Sequence, residues 1–389
     1  MGILFLFKYY NFFNDSIFGL LTDWGIRMTL PNFDLLLPVG ISFYTFQAVG
    51  YTIDVYRGDI KSEKHFGIYA LFVSFFPQLV AGPIERAVNL LPQFKETKKI
   101  DYAQAAQGIK LMIWGYFMKI VVADRLAIYV NSVYGIPEYH SSITLFIATI
   151  FFAFQIYCDF AGYSNIAIGC AKIMGFDLMT NFRRPYFAQS CAEFWSRWHI
   201  SLSTWFKDYV YIPLGGNRVG TTKNYRNILI TFVISGLWHG ANWTFVIWGG
   251  LNGLYQVLFK ILKISPKRKT ENTEFNFIYI GNLILTFVLI SFSWIFFRAN
   301  TFTDALVIIE RMFTVAGNLF IGDKSSFAYS VFAIIVLMLK EGYDEFFPNG
   351  NLFFKSTKKS VRFISYSLVI ILILLLGVFD GGQFIYFQF

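Results

Sequence analysis

Two of the chain's four histidines, His199 and His239, stand 40 residues apart in surroundings unlike those of a surface imidazole. His239 belongs to Trp238-His239-Gly240-Ala241, near the middle of Asn227–Phe259, a run of 33 residues without Asp, Glu, Lys or Arg. A titratable ring at bilayer depth is costly and reads first as functional. The plain alternative is a core histidine bonded to a neighbouring helix. An imidazole in apolar surroundings is held neutral, and the neutral ring is the form that takes a proton from a hydroxyl. For acyl transfer from a thioester one such base suffices, because a thiol of pKa near 8.5 leaves as thiolate without a strong acid behind it. No covalent enzyme intermediate is then required. His199 is read equally well as a second member of such a site or as an interfacial histidine bonding a backbone carbonyl.

Other polar groups in apolar context are Gln155, Asp159, Asn165 and Asn242. Asp159 ends an uncharged run and is expected to form a structural ion pair with Arg183, Arg184 or Arg197, as intramembrane carboxylates commonly do. The chain has no HExxH, CxxC, GxSxG, GxGxxG or Walker sequence. A metal site, a serine-hydrolase elbow and a dinucleotide fold therefore lack their usual signals. Cys158, Cys170 and Cys191 are odd in number, lack metal spacing and read as small buried hydrophobes.

The elements that must position these groups lie in a bilayer. Of 389 residues 56% are hydrophobic and only 15% charged, against about 25% charged in soluble domains. Uncharged runs long enough to span are Phe66–Ile84, Tyr139–Cys158, Asn227–Phe259 and Phe275–Phe297. Ser325–Leu339 and Phe363–Phe379 are shorter spans if flanking cations snorkel. With Met1–Leu21, Leu30–Tyr51, Tyr102–Val122 and a divided Asn227–Phe259, the length rule gives roughly 9 to 11 membrane segments. The ~10-residue alternating strands of an outer-membrane barrel are missing. The start of the chain lacks the basic n-region and cleavage site of a signal peptide and fails the myristoylation pattern at Leu6. No repeat and no Pro/Ser-rich linker divides the sequence, so residues 1–389 read as a single all-α membrane domain.

Net charge is +9. Without a nucleic-acid motif, the excess reads as the positive-inside bias and contact with anionic lipid. Lys260–Asn276 and Lys340–Arg362 each carry five Lys/Arg, against two and three acids, and the loop between them is balanced. Two spans separate the basic loops, which puts both on the cytoplasmic side. Residues 172–226, with eight Lys/Arg and three acids, form a third basic loop. If it too is cytoplasmic, Asn227–Phe259 must enter and return. As one helix that run would be about 50 Å long, so a break near Gly240 or at Gly249-Gly250 is expected, with His239 lining a cavity. Within the basic loop, Trp198, Leu202, Trp205, Phe206 and Tyr209 recur at helical spacing, which predicts one amphipathic in-plane helix over Trp195–Pro213.

Four blocks together resemble the membrane-bound O-acyltransferase family. They are Ser74-Phe-Phe-Pro-Gln-Leu-Val-Ala-Gly-Pro-Ile84, Asp159-Phe-Ala-Gly-Tyr-Ser164, Glu193-Phe-Trp-Ser-Arg-Trp-His-Ile-Ser-Leu-Ser203 and Gly236-Leu-Trp-His-Gly-Ala241. Asp208-Tyr-Val-Tyr-Ile-Pro-Leu-Gly-Gly-Asn-Arg218 and Phe384-Ile-Tyr-Phe-Gln-Phe389 look like its bacterial branch, the alginate O-acetylation membrane subunits, and the likeness runs from about Asp34 to Phe389. The resemblance implies a ring of spans around a thin centre pierced by a tunnel. It implies His239 as the main catalytic histidine and His199 as the second position. Asp159, Ser164, Arg197, Trp198, Trp238 and Asn242 are the supporting or substrate-binding candidates, and no metal is implied. It further implies a multi-pass protein of the bacterial inner membrane with no bound cofactor. Acetyl would enter from cytoplasmic acetyl-CoA, and an extracytoplasmic acetyltransferase partner would place it on an exported polysaccharide. Nucleic acid is not an expected partner. The family usually carries hydrophobic segments ahead of the stretch matching Phe7-Lys-Tyr-Tyr-Asn11, so N-terminal segments are expected to be missing here relative to it. Two alternatives stay open: D-alanylation of teichoic acid from a carrier-protein thioester, and a transporter using His239 and Asp159 as a proton relay.

Overall fold

The computed structural model describes residues 2–26, 30–33, 40–79, 82–99, 101–264, 277–380 and 384. Outside them lie residues 265–276 of the basic stretch Lys260–Asn276, Val80 and Ala81 of the Ser74–Ile84 block, Asp34, and residues 385–389 of the C-terminal block. The described residues form helices and loops and no strand. That is the expected all-α class, since only helices and closed barrels satisfy their own backbone in lipid.

Besides single turns, the helices in chain order are α1 (residues 2–23, with a π-helical stretch Phe5–Tyr9), α2 (Ile41–Arg57), α3 (Phe66–Ser74), α4 (Ala87–Lys95), α5 (residues 102–134, with a π-helical stretch Phe117–Ala123), α6 (Ser142–Ile173), α7 (Cys191–Arg197), α8 (Ile200–Phe206, running into a π-helical stretch Lys207–Tyr211), α9 (Thr221–His239), α10 (Trp243–Ile261), α11 (Phe277–Arg298), α12 (Phe302–Thr314), α13 (Lys324–Phe346) and α14 (Lys359–Leu376). Four of them, α6, α11, α13 and α14, are long and apolar enough to cross a membrane. Other uncharged runs fold as shorter pieces. Phe66–Ile84, for example, holds α3 and a separate turn, Phe76–Leu79.

The core is built on α6, which is apolar on every face and buried along most of its length, as a fully surrounded helix should be. Helix α5 lies directly against it because both carry glycines at the seam. A Cβ on Gly115 would sit 2.7 Å from the carbonyl oxygen of Gly162, and one on Gly169 2.5 Å from that of Gly108. Small residues let membrane helices approach at backbone distance. The seam also delivers Lys119, whose ammonium bridges Asp159 and Asp124 at 2.6 Å each. Asp159 therefore pairs with Lys119, a partner other than the three arginines foreseen for it. Arg184 and Arg197 turn instead to Glu345 at the end of α13, at 2.7 and 3.1 Å, and Arg197 also pairs with Glu193. Tyr279, at the start of α11, packs on Phe346 with rings 6.2 Å apart. The loop over 172–226, the start of α11 and the end of α13 thus share one end of the bundle.

Two expectations about helix continuity resolve differently. The run Asn227–Phe259 is divided at Gly240–Asn242 into an antiparallel hairpin of α9 and α10. The Gly249-Gly250 pair lies within α10. There Gly249 permits contact, since its Cβ would stand 2.3 Å from the Phe232 carbonyl oxygen on α9. The single amphipathic helix expected over Trp195–Pro213 is corrected: the chain breaks at Trp198-His199 into α7 and α8. Main-chain bonds from the preceding segment take up the freed groups, with the Arg183 N–H donating to the Arg197 carbonyl and the Ile200 N–H to the Asn181 carbonyl, each at 2.9 Å. Trp198, Leu202, Trp205 and Phe206 all point into the protein and are buried.

Because the α5–α6 seam has no room for a side chain, Gly162→Val should destabilise the protein by about 1–3 kcal/mol or more. Thermal unfolding in detergent checks this, and an unchanged transition would show that the helices can separate at no cost.

Candidate active site

His199 and His239 meet at one indole. The Trp238 ring centre lies 4.8 Å from that of His239 and 6.5 Å from that of His199. Both imidazoles are buried, at 5% and 1% exposure, so segments 40 residues apart in sequence converge in the interior.

His239 is the last residue of α9. Its ring packs edge-on against Trp248 on α10 (5.0 Å) and beside Phe297 on α11 (5.5 Å). The break that follows it is held at both ends. Asn242 caps α10 by accepting the Thr244 N–H at 3.0 Å, and its amide donates to the Asn300 carbonyl at 3.2 Å. Lys8 Nζ donates to the carbonyls of Trp238 (2.9 Å) and His239 (3.0 Å), closing the end of α9.

His199 sits at the α7–α8 break with φ of 42°, in the left-handed region. For a non-glycine residue this conformation is sparsely populated and tends to mark functional positions. Its Nδ1 lies 3.1 Å from Asn181 Oδ1. That oxygen also accepts the Ser201 main-chain N–H at 3.3 Å and the Ser201 hydroxyl at 2.9 Å, while the Asn181 amide nitrogen donates to Ser164 Oγ at 3.1 Å. A main-chain N–H only donates, so the atom facing His199 is an acceptor and Nδ1 carries the proton. The lone pair is therefore on Nε2, which is buried and has no hydrogen-bond partner among the described residues. Burial pushes the His199 pKa down to about 3, which keeps the ring neutral at physiological pH. Phe160 meets it edge-on at 4.5 Å, and Phe43 lies 6.4 Å from His199 and 5.9 Å from Trp238.

The remaining sequence candidates divide. Trp238 belongs to the site, and Ser164 joins it through Asn181. Trp198 forms an outer wall, 5.1 Å from Phe182 and 5.0 Å from Trp294. Asn242 shapes the helix break. Asp159 and Arg197 are engaged in the ion clusters described above. His65 caps α3 by accepting the Ile68 N–H, and the His140 carbonyl accepts from Arg311. Asn181, Ser201 and Lys8 were not foreseen. Nothing distinguishes an asparagine in a polar loop from its neighbours, but Lys8 had a signal: it is the one cation in the aromatic run 3–13.

A cavity of about 500 Å³ lies between α8, α9 and α10. Ile200, next to His199, lines it together with Trp195, Phe232 and Ser235. Lys207 and Lys260 line it too. In the hairpin register Lys260 is at the end of α10 remote from His239. The cavity thus runs from two cations towards Ile200, the first residue of α8 after His199. No group of three His, Cys, Asp or Glu side chains among the described residues is arranged to hold a metal ion.

Comparison with known proteins adds to the geometry. The model of the membrane-bound O-acyltransferase family matches residues 65–299. A probable alginate O-acetylase of Azotobacter vinelandii is 38% identical over 87% of this chain and 65% of its own length. A peptidoglycan O-acetyltransferase of Helicobacter pylori is 35% identical over 82% of this chain and 63% of its own length. A teichoic acid D-alanyltransferase of Streptococcus thermophilus is 31% identical over 62% of this chain and 60% of its own length. The chain spans less than two thirds of each of these relatives.

The tautomer is directly measurable. In 15N spectra of histidine-labelled protein, His199 should show a protonated Nδ1 and a bare Nε2, unchanged at pH 5. Asn181→Leu should abolish that preference. A protonated Nε2 in the unsubstituted protein would contradict the hydrogen-bond assignment.

Proposed function

Because the chain belongs to the membrane-bound O-acyltransferase family, we propose that it moves an acetyl group from cytoplasmic acetyl-CoA across the bacterial inner membrane. The acceptor is a hydroxyl on the far side, leading through an extracytoplasmic partner to O-acetylation of an exported polysaccharide. The observation that carries this reading is the convergence of two buried histidines on the Trp238 indole. The relatives' names point the same way, two being an O-acetylase and an O-acetyltransferase.

In this reading His239 is the general base. It takes the proton of the acceptor hydroxyl as the oxygen attacks the thioester carbonyl. The carbon–sulfur bond breaks, the thiol leaves as thiolate, and the imidazolium returns a proton to it. His199 positions the donor: its Nε2 lone pair accepts an N–H or O–H, and the amide N–H groups of a pantetheine arm suit that role. The cavity with Lys207 and Lys260 suits the anionic end of coenzyme A. The shared end of the basic loops supports a cytoplasmic entrance by the positive-inside rule. Arg197 and Asp159 act as structural groups, while Trp198 and Asn242 support the walls and the break.

The second reading, D-alanyl transfer from a carrier-protein thioester, is favoured by the teichoic acid D-alanyltransferase relative. It uses the same two histidines and differs in the donor. The mass of the ester group gained by the cell-surface glycan separates the two.

His239→Ala, in protein that inserts and melts normally, should lower acetyl transfer by about 100-fold or more. Glycan acetyl ester in cells measures it, and full retention would refute His239 as base. Glu substituted at both Lys207 and Lys260 should raise KM for acetyl-CoA about tenfold with kcat little changed. Steady-state kinetics check this, and an unaltered KM would move the donor route elsewhere.

A further inference from the structure

The division of α9 from α10 leaves helix-end carbonyls within the protein at His239 itself. Buried backbone groups need partners, and the last carbonyls of a helix carry the negative end of its dipole. The Gly240 N–H reaches back only to the Gly236 carbonyl, at 3.4 Å. The carbonyls of Trp238 and His239 are met from another part of the chain by the Lys8 ammonium, and the Tyr9 hydroxyl adds a longer bond to the Trp238 carbonyl at 3.4 Å.

Several features set Lys8 apart from an ordinary membrane-flanking lysine. It stands in the run Ile3–Phe13 among Phe, Leu, Tyr and Asn, with no other charge. Its segment, Phe5–Tyr9, is π-helical, a local widening frequent at functional sites. Among the described residues it has no carboxylate partner, and its charge is set against the end of α9. The ammonium also lies 6.0 Å from the centre of the Trp238 indole. One cation therefore holds the main chain of both the indole that the histidines share and the imidazole of His239. Lys8 also lies ahead of residues 65–299, where the family model matches.

We propose that Lys8 is a positioning residue of the acyl-transfer site, fixing His239 and Trp238 through their carbonyl oxygens and the charge at the end of α9. The proposal rests on the acyl-transfer reading for its kinetic consequence, though the positioning itself is measurable without it. With Lys8→Met the end of α9 loses its cation and His239 loses its fixed direction. Lys8→Arg keeps the charge and the donors.

The test uses the full chain in detergent, with diethyl pyrocarbonate as the probe of imidazole accessibility and peptide mass spectrometry as the readout. Lys8→Met should raise the labelling rate of His239 severalfold, leave His65 and His140 as they were, and keep a cooperative thermal transition. Lys8→Arg should label like the unsubstituted protein. In acetyl transfer from acetyl-CoA, Lys8→Met should lower kcat by about 100-fold, the scale of a misplaced catalytic group, with KM little changed, and Lys8→Arg should restore kcat. Unchanged His239 labelling in Lys8→Met overturns the proposal. So does loss of the thermal transition, because Lys8 would then be a determinant of the whole fold. Altered labelling together with no acetyl transfer by the unsubstituted protein would leave the positioning role standing and overturn the acetyl-transfer reading.

Discussion

A helix that stops inside a protein must hand its last carbonyls and its successor's first amides to something other than bulk water. This constraint organises the site. The stop after His239 is tolerated because Lys8 takes the carbonyls at the end of α9, Asn242 takes the amide at the start of α10, and Gly249 lets the two helices touch. Removing the stop would leave one continuous helix and turn His239 into an ordinary position on its side. With the stop, the imidazole is presented at a helix end, beside an indole that also faces His199.

The second histidine is placed by a different economy of bonds. Helices α7 and α8 are too short to hold a direction by themselves. The segment 181–183 holds them from outside through main-chain bonds and through one asparagine. The Asn181 oxygen gathers Ser201 and the His199 ring, while its nitrogen reaches Ser164 on α6. A single amide thereby ties the loop to the central helix and decides which imidazole nitrogen is bare. The ion clusters near the site tie elements together: Lys119 joins α5 to α6, and Arg184 and Arg197 join the loop to α13.

Much of this was legible in the residues. The uncharged run pointed to the break, because a basic loop placed on the cytoplasmic side requires those 33 residues to enter and return. The all-helical class followed from composition. The break at His199 was not legible, since neither glycine nor proline marks it and the aromatic spacing continues across it. That φ of 42° is imposed by bonds from residues 181–183, a tertiary effect absent from local pattern. The partner of Asp159 was misjudged for a related reason. Proximity in sequence favoured the arginines, but the glycine seam decided which face of α6 meets α5, and that face holds Lys119. Asn181 carries no signal of its own. Its role exists only once Ser164, His199 and Ser201 surround it.

The three π-helical stretches among the described residues have a shared property. Each contains a lysine, at 8, 119 and 207, and these lysines reach the end of α9, the Asp124–Asp159 pair and the cavity wall respectively. A π turn accommodates one residue more than the α-helical ladder. Deleting that one residue would close the turn to a regular α-helix with the flanking segments still in phase, so the loss would be confined to the widened turn that aims the lysine. The chain is therefore sensitive to its length at these places. It can absorb many exchanges of side chain, but the loss of one residue from such a turn would leave the composition almost untouched while pointing the cation away from its target.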